Sequence, residues 1–256
     1  VYEGAPTPVT AFMSVIAKIG GFGALLRVMV TGLSVFALNA GDPAAWQATL
    51  SVIAVLTLIL GNFVAISQFN VKRMLAYSSI AHAGYILIAV AASGTAGVGN
   101  LAAQGALVYL LAYMFTNLGA FGVVLALEKT DGSDVTLDSL IGLSQSRPMM
   151  AMAMAIFMLS LAGVPLTAGF VGKLLVFASA VQAGLYVLAI IGVLTSVVSA
   201  FYYVRVIVNM YLRDSADPVI PEGETQYVRW AINISLAGVL IFGILFPLVT
   251  NLVDMV

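Results

Sequence analysis

The sequence predicts an all-α polytopic membrane protein, a bundle of about seven transmembrane helices, one of which is broken. Three observations predict this class. The chain is 62% hydrophobic and only 8% charged, whereas soluble domains carry roughly 25% charged residues. Apolar windows of about 20 residues, the length that crosses a bilayer, follow one another. A Gly-Val-Pro sequence lies inside the longest window. Most of the chain therefore faces lipid.

Hydropathy and turn residues divide the chain into seven spans. The first begins at Thr7-Pro8, because Thr is a favourable N-cap and Pro suits the first helical position. The second follows the turn at 41–43, Gly-Asp-Pro. The predicted spans are 7–30, 46–66, 74–92, 101–127, 148–181, 184–212 and 228–249. Together they predict a single transmembrane domain over residues 1–256.

The fifth span is too long to be one straight helix. It would be about 51 Å long at ~1.5 Å per residue, against a hydrocarbon core of ~30 Å. Pro165 removes a backbone donor in its middle, and Gly163 and Gly169 free the backbone on either side. We predict two half-helices joined by an unwound link. Such interrupted helices are frequent where transporters bind ions.

Basic residues predict the topology. The loops near 68–73, 128–147 and 213–228 contain or flank Lys72, Arg73, Lys129, Arg147, Arg213 and Arg229. The loops near 39–45, 93–100 and 182–183 contain no Lys or Arg. The positive-inside rule therefore predicts that the first group of loops is cytoplasmic.

The loop at 128–147 leaves two structures open. Leu137, Leu140 and Ile141 would share one face of a short interfacial helix. A solvated loop fits the same residues. We expect the acids outside the spans, Glu3, Asp217, Glu222 and Glu224, to be solvated.

Composition also excludes several kinds of site on this chain. Cysteine is absent, which excludes disulfides, thiol catalysis and cysteine-ligated iron–sulfur clusters. The single histidine excludes bis-histidine haem and a His-rich metal site. The net charge of −1 gives no indication of nucleic-acid binding. The sequence therefore predicts no metal or redox cofactor here.

Two lysines lie in the middle of apolar spans. Lys18 is flanked by Gly20, Gly21 and Gly23, which predict close helix packing away from lipid. Lys173 follows the Gly-Val-Pro break. An ammonium at this depth costs at least about 2.5–3.5 kcal/mol, so an intramembrane lysine indicates function. A desolvated lysine can also change its protonation state, which arginine does not do. Snorkelling is the alternative, but both residues lie far from a span end.

Other polar residues within the spans allow more than one interpretation. His82 lies one turn from several hydroxyl groups and could either carry protons or be a hydrogen-bonded core residue. Lys72 lies at the start of its span and could belong to a pathway or anchor the span by the positive-inside rule. Arg27 and Arg205 are placed to snorkel. Further intramembrane groups that could bind water or a neighbouring helix are Asn62, Gln104, Thr116 and Asn117.

Several stretches resemble the antiporter-like membrane subunits of respiratory complex I, the proton-translocating NADH:quinone oxidoreductase. They are residues 1–9, the helix around Lys18, residues 70–85 (Asn-Val-Lys-Arg-Met-Leu-Ala-Tyr-Ser-Ser-Ile-Ala-His-Ala-Gly-Tyr) and residues 159–173 with the Gly-Val-Pro break. The resemblance covers essentially the whole chain. Since the sequence starts at Val1 without Met or a signal peptide, we expect it to be part of a longer chain.

The resemblance implies a fold and a function. Such subunits contain two inverted five-helix repeats, each with a broken helix, connected by a line of buried charges. Lys18 would be the connecting lysine and Lys173 the lysine of the second broken helix, while Lys72 and His82 match polar positions near the proton route. The chain would be the C-terminal half of such a subunit, in a bacterial inner membrane. A carboxylate and a further lysine are expected upstream of Val1.

The resemblance also implies partners. Neighbouring antiporter-like subunits and the lipid bilayer would surround the chain, and NADH, FMN, iron–sulfur clusters and quinone would belong to other subunits. Two alternatives remain: a cation/proton antiporter subunit of the Mrp or membrane-bound hydrogenase type, and a structural membrane anchor. The mid-span lysines argue against an anchor, because an anchor gains nothing from their insertion cost.

Overall fold

The computed structural model describes residues 2, 4–32, 46–128, 134–213 and 225–245, which are mostly helical. The helices are α1 (Thr7–Leu26, continued by a π-helical stretch, Arg27–Gly32), α2 (Trp46–Ile66), α3 (Val71–Ala92), α4 (Gly99–Leu127), α5 (Leu143–Ser146), α6 (Pro148–Ala162), α7 (Ala168–Gln182), α8 (Tyr186–Leu212) and α9 (Gln226–Ile244).

The described helices confirm the predicted all-α membrane bundle. Six of them are long and apolar enough to cross a membrane: α1, α2, α3, α4, α8 and α9. Helices α6 and α7 have 15 residues each, which is about 22 Å at ~1.5 Å per residue and too short for a ~30 Å core. Together these two occupy the fifth predicted span.

Helices α3 and α4 form the centre of the bundle. Helix α3 packs against α1, α2, α4, α7 and α8, and α4 packs against α1, α3, α6, α7 and α9. Most residues of α3 and α4 are buried, whereas α1 and α9 have large exposed faces, as expected of helices that face lipid or another protein segment. Polar side chains on α3 and α4 are thereby kept from lipid.

The predicted break in the fifth span is confirmed. Helix α6 ends at Gly163, whose φ of 87° is in the left-handed region that favours glycine. The chain then passes through Leu166, which also has a positive φ, and α7 begins at Ala168. A Cβ on Gly169 would lie 1.9 Å from the backbone oxygen of Ser160, so the start of α7 touches the end of α6.

The connections next to the basic residues meet at one end of the bundle, which we call the base-rich end. The backbone N–H of Val71 donates to Val135 (2.9 Å), and that of Leu137 donates to Phe69 (2.9 Å). The segment continues as a short 3₁₀ turn, Asp138–Leu140, with Leu137 and Leu140 buried. In the described residues 134–147, a strand-like pairing, the 3₁₀ turn and α5 follow one another in place of one interfacial helix or a solvated loop, and Leu137 and Leu140 lie inside.

One local prediction was wrong. Thr7 is not an N-cap: Pro6 takes that position, and the Thr7 hydroxyl donates to the carboxylate of Glu128 at the end of α4. Close helix packing at the glycines 20, 21 and 23 stays a prediction, since a Cβ on any of them would meet no atom of the described residues within 4 Å.

Other span limits shift by a few residues. Helix α3 begins before Met74, because the Asn70 side chain accepts from the backbone N–H of Arg73 (3.0 Å) and caps it. Arg205 lies near the base-rich end, where its guanidinium donates to the Gln68 backbone oxygen (2.8 Å). The turn at 41–43, the residues Glu3, Lys129, Asp217, Glu222 and Glu224, and the end of the seventh span after 245 lie outside the described residues.

Candidate functional site

Lys18 reaches from α1 across to α3. The side chain is partly buried, and its ammonium donates to both the backbone and the hydroxyl oxygen of Ser79. It also lies 3.4 Å from the hydroxyl of Tyr113 on α4 and 4.6 Å from the centroid of that ring. These partners are neutral oxygens and an aromatic face, which attract a cation without fixing it in an ion pair.

Lys173 binds the broken end of α6. Its buried ammonium donates to the backbone oxygens of Leu161 (3.0 Å) and Ala162 (2.8 Å) and to the hydroxyl of Ser196 on α8 (2.8 Å). The last carbonyls of a helix have no partner within the helix and carry partial negative charge. The break therefore supplies the oxygens that hold a cation at this depth.

Gly163 makes this contact possible. A Cβ at this position would lie 2.7 Å from Cδ of Lys173, and the backbone φ is 87°. A larger residue would both strain the turn and displace the lysine stem. The glycine that ends α6 thus also admits the ammonium to the helix end.

His82 lies between the two lysines. Its Nδ1 is hydrogen-bonded to the hydroxyl of Tyr109 (2.7 Å) and its Nε2 to that of Tyr203 (3.0 Å). Its ring centroid is 5.0 Å from that of Tyr113, the tyrosine beside Lys18. Because a hydroxyl both donates and accepts, either neutral tautomer of His82 is satisfied.

A small cavity joins these groups. Its volume is about 10 Å³, near the size that one water molecule needs. His82, Tyr113, Thr116, Ser160 and Lys173 are among the residues that line it. The cavity therefore borders Lys173 directly and meets Lys18 through Tyr113.

Lys72 lies apart from this cluster. It is in the first turn of α3 and only 7% exposed, and its ammonium donates to the backbone oxygen of Ala5. The structure thus brings together three of the four residues singled out in the sequence. The fourth lies at the base-rich end, where a positive-inside anchor is also expected.

Sequence reasoning missed the tyrosines. Tyr109 and Tyr113 lie one turn apart on α4, with Thr116 on the same face, a polar stripe in an apolar span that could have been found by its helical spacing. The serine hydroxyls near His82 in sequence bind other groups: Ser79 binds Lys18 and Ser78 binds Tyr203.

Comparisons with known proteins give the family. Residues 1–199 match the family described as NADH:quinone oxidoreductase/Mrp antiporter, TM. NADH-quinone oxidoreductase subunit N 2 of Roseiflexus castenholzii is 47% identical over 247 residues, which are 96% of this chain and 48% of that protein. The chain spans about half the length of the curated relatives that it matches.

Solved structures agree. A chain of respiratory complex I from Thermus thermophilus superposes with a TM-score of 0.79 at 34% identity, covering 98% of this chain and 52% of that one. A chain of the Mrp complex from Dietzia superposes with a TM-score of 0.82 at 22% identity, covering 98% and 53%, and shows the fold alone. This chain belongs to the family of membrane subunits that NADH:quinone oxidoreductase and the Mrp antiporter share.

Proposed function

We propose that this chain is the C-terminal half of an antiporter-like subunit of proton-translocating NADH:quinone oxidoreductase. Protons move through it along Lys18, His82 and Lys173, while electron transfer takes place in other subunits. One observation carries the proposal: the Lys173 ammonium and the His82 imidazole line a water-sized cavity within the membrane-spanning bundle, and Tyr113, which also lines it, lies 3.4 Å from the Lys18 ammonium.

The partners of the lysines support proton transfer rather than a fixed charge. Both ammonium groups are held by backbone carbonyls and hydroxyls. A lysine in a buried ion pair cannot lose its proton without leaving an unpaired carboxylate, which is strongly destabilising. Lys18 and Lys173 can each release a proton to a neighbouring water or hydroxyl without leaving an unpaired carboxylate behind.

The driving event in this proposal is a change in the charge of a neighbouring lysine or carboxylate, which acts strongly over short distances at low dielectric. Lys18 also borders an open groove that is lined by Tyr2, Arg73 and Tyr77 among others. We place the partner charge on this side of Lys18, supplied by the upstream half of the longer subunit. Lys72 belongs to the proposal as a charged group at the base-rich end, and its role as an anchor remains the alternative.

The proposed partners follow from the relatives, which are named as subunits of NADH-quinone oxidoreductase. Other membrane subunits, above all neighbouring antiporter-like ones, would flank this chain in a bacterial inner membrane. NADH, FMN, iron–sulfur clusters and quinone would be bound elsewhere in the complex. Among the residues that the structure describes, no group of three or more His, Cys, Asp or Glu side chains could hold a metal ion.

Two other functions make different predictions. A chain of an Mrp complex shares this fold. An antiporter of the Mrp or membrane-bound hydrogenase type predicts sodium-dependent exchange without NADH-oxidising, iron–sulfur subunits. Copurification with such subunits favours complex I. A structural anchor predicts that lysine substitutions change assembly but leave the number of protons moved per electron unchanged.

Replacing Lys18 tests the proposal. In the assembled complex, Lys18→Ala is expected to strongly reduce proton pumping, because it removes the cation between Ser79 and Tyr113. The measurement is proton uptake per electron in reconstituted vesicles. Arg27→Ala, on an exposed part of the same helix, is the control and should pump normally. Normal pumping by the Lys18 variant would remove this lysine from the pathway.

Single cysteines test the proposed sidedness. Because the chain contains no cysteine, a thiol introduced at an exposed position reports the side of the membrane from which this chain is labelled. Ser146→Cys, at the base-rich end, should react with an impermeant thiol reagent only from the cytoplasmic face, and Ala96→Cys only from the opposite face. Mass analysis of peptides from this chain detects the label. The reverse pattern would invert the topology.

A further inference from the structure

The hydroxyl of Tyr85 on α3 has an unusual environment. The side chain is 1% exposed, and among the described residues its hydroxyl has no hydrogen-bond partner. Buried polar groups without partners are rare in native structures. Four polar side chains from α2 and α8 lie near this hydroxyl without forming a hydrogen bond of normal geometry: Asn62, Thr195, Ser196 and Ser199. This ring of donors and acceptors is the setting in which a buried water binds.

One side of this polar ring touches Lys173. The ammonium donates to the Ser196 hydroxyl (2.8 Å) and lies 4.9 Å from the centroid of the Tyr85 ring. The cavity next to His82 is formed mainly by α3, α4, α6 and α7. Lys173 is therefore approached by two polar regions, the His82 cavity on the α4 side and the Tyr85 region on the α8 side.

The other side of the ring leads toward the base-rich end. Asn62 lies one turn before the end of α2, is fully buried, and accepts from the hydroxyl of Tyr202 on α8 (3.0 Å). Farther along α8, the side chain of Asn209 donates to the backbone oxygen of Leu137 (2.9 Å) in the connection that pairs with the start of α3. Buried polar groups on α8 thus also occur at the base-rich end.

Helix α8 carries these groups on its buried side. Ser196, Ser199, Tyr202 and Asn209 spread over about 140° of the helix surface at ~3.6 residues per turn, and the last three are almost completely buried. Their described partners are Lys173 on α7, Asn62 on α2 and the Leu137 carbonyl, while many large apolar residues of α8 are exposed. Polar stripes inside membrane bundles mark substrate and ion pathways, because polar side chains at this depth are costly.

We infer that protons reach Lys173 from the base-rich end along a hydroxyl-lined branch between α2, α3 and α8, with Tyr202 and Tyr85 as its steps. The branch rests on the proposed function, since it supplies the lysine of that pathway. A proton passes by way of the Tyr202 hydroxyl, water at the Tyr85 hydroxyl and the Ser196 hydroxyl to a deprotonated Lys173; each hydroxyl accepts one proton as it donates another, and the Asn62 amide only orients the Tyr202 hydroxyl. No bond other than O–H and N–H bonds is made or broken.

Two substitutions in the intact complex test the branch. Tyr85→Phe removes only the hydroxyl and keeps the ring beside Lys173, and Asn62→Leu removes the partner of Tyr202. Each is expected to lose most of the proton pumping in reconstituted vesicles and to show a larger solvent deuterium isotope effect than the wild type. A purely structural role of either residue would not raise the isotope effect. Tyr186→Phe, an exposed tyrosine at the other end of α8, is the matched control.

Lys173→Ala in the same series separates the branch from the proposed function. If Lys173→Ala loses pumping while Tyr85→Phe and Asn62→Leu keep wild-type rates and isotope effects, the branch is wrong and the proposed proton pathway through Lys173 stands. If Lys173→Ala pumps normally, the proposed function itself fails. NADH oxidation with an artificial acceptor checks assembly. Should Asn62→Leu not assemble, Tyr85→Phe alone decides, because it removes a hydroxyl that has no described partner.

Discussion

Complexes that carry Lys173→Ala are expected to assemble but to pump few protons. The substitution removes the ammonium that the carbonyls of Leu161 and Ala162 hold at the break, and no other described cation lies at that helix end to replace it. Proton transfer by a positioned side chain contributes about 10²–10⁴-fold in rate, so a loss of at least about tenfold in pumping is expected. A pH-sensitive dye in reconstituted vesicles measures it.

The adjacent residue provides the control for Lys173→Ala. Leu174 is 44% exposed on the same turn of α7, so Leu174→Ala shortens a side chain on that helix without touching the break. It should leave pumping close to the wild-type value. Equal pumping by the two variants would show that the ammonium at 173 is dispensable.

The second large effect is expected from Gly169→Ala. The added Cβ would lie 1.9 Å from the backbone oxygen of Ser160, a group that cannot swing aside as a side chain can. The start of α7 must move away from α6, which also breaks the bond from the Gly169 N–H to the Ser160 hydroxyl (3.1 Å). Overpacking of this kind costs about 1–3 kcal/mol, occasionally more.

Assembly and heat resistance measure the effect of Gly169→Ala. We expect less assembled complex on native gels and faster thermal inactivation of NADH:quinone activity. Gly99→Ala is the matched control, because a Cβ on Gly99, at the start of α4, would meet only atoms at about 3.9 Å or farther. If the two variants inactivate at the same rate, the close approach of α6 and α7 at this glycine is not required.

The features that the sequence predicted are those whose cause lies in a residue and its immediate neighbours. Inserting a lysine into an apolar span costs free energy whatever the lysine contacts, so Lys18 and Lys173 could be selected without a structure. Pro165 between two glycines likewise breaks a helix by its own covalent geometry. For these reasons the broken span and both lysines were found from composition and spacing alone.

The sequence could not predict which groups these lysines bind. The contacts of Lys18 with Ser79 and Tyr113 join three helices, and those of Lys173 with Ser196 join α7 to α8. Such pairs depend on packing between spans, about which hydropathy contains no information. Hydropathy also ranks tyrosine as only mildly polar, so the tyrosines around His82 were passed over. The Thr7 cap failed similarly, because Glu128, distant in sequence, binds its hydroxyl.

The most direct test of proton transfer at Lys173 is the number of protons moved per electron by complexes that carry Lys173→Arg. Arginine keeps the positive charge and can donate to the carbonyls of Leu161 and Ala162, but it does not release its proton. If Lys173 passes protons, the variant assembles and its ratio of protons to electrons falls as in Lys173→Ala. A wild-type ratio of protons to electrons would show that a fixed charge is sufficient at this position and would contradict proton transfer by Lys173.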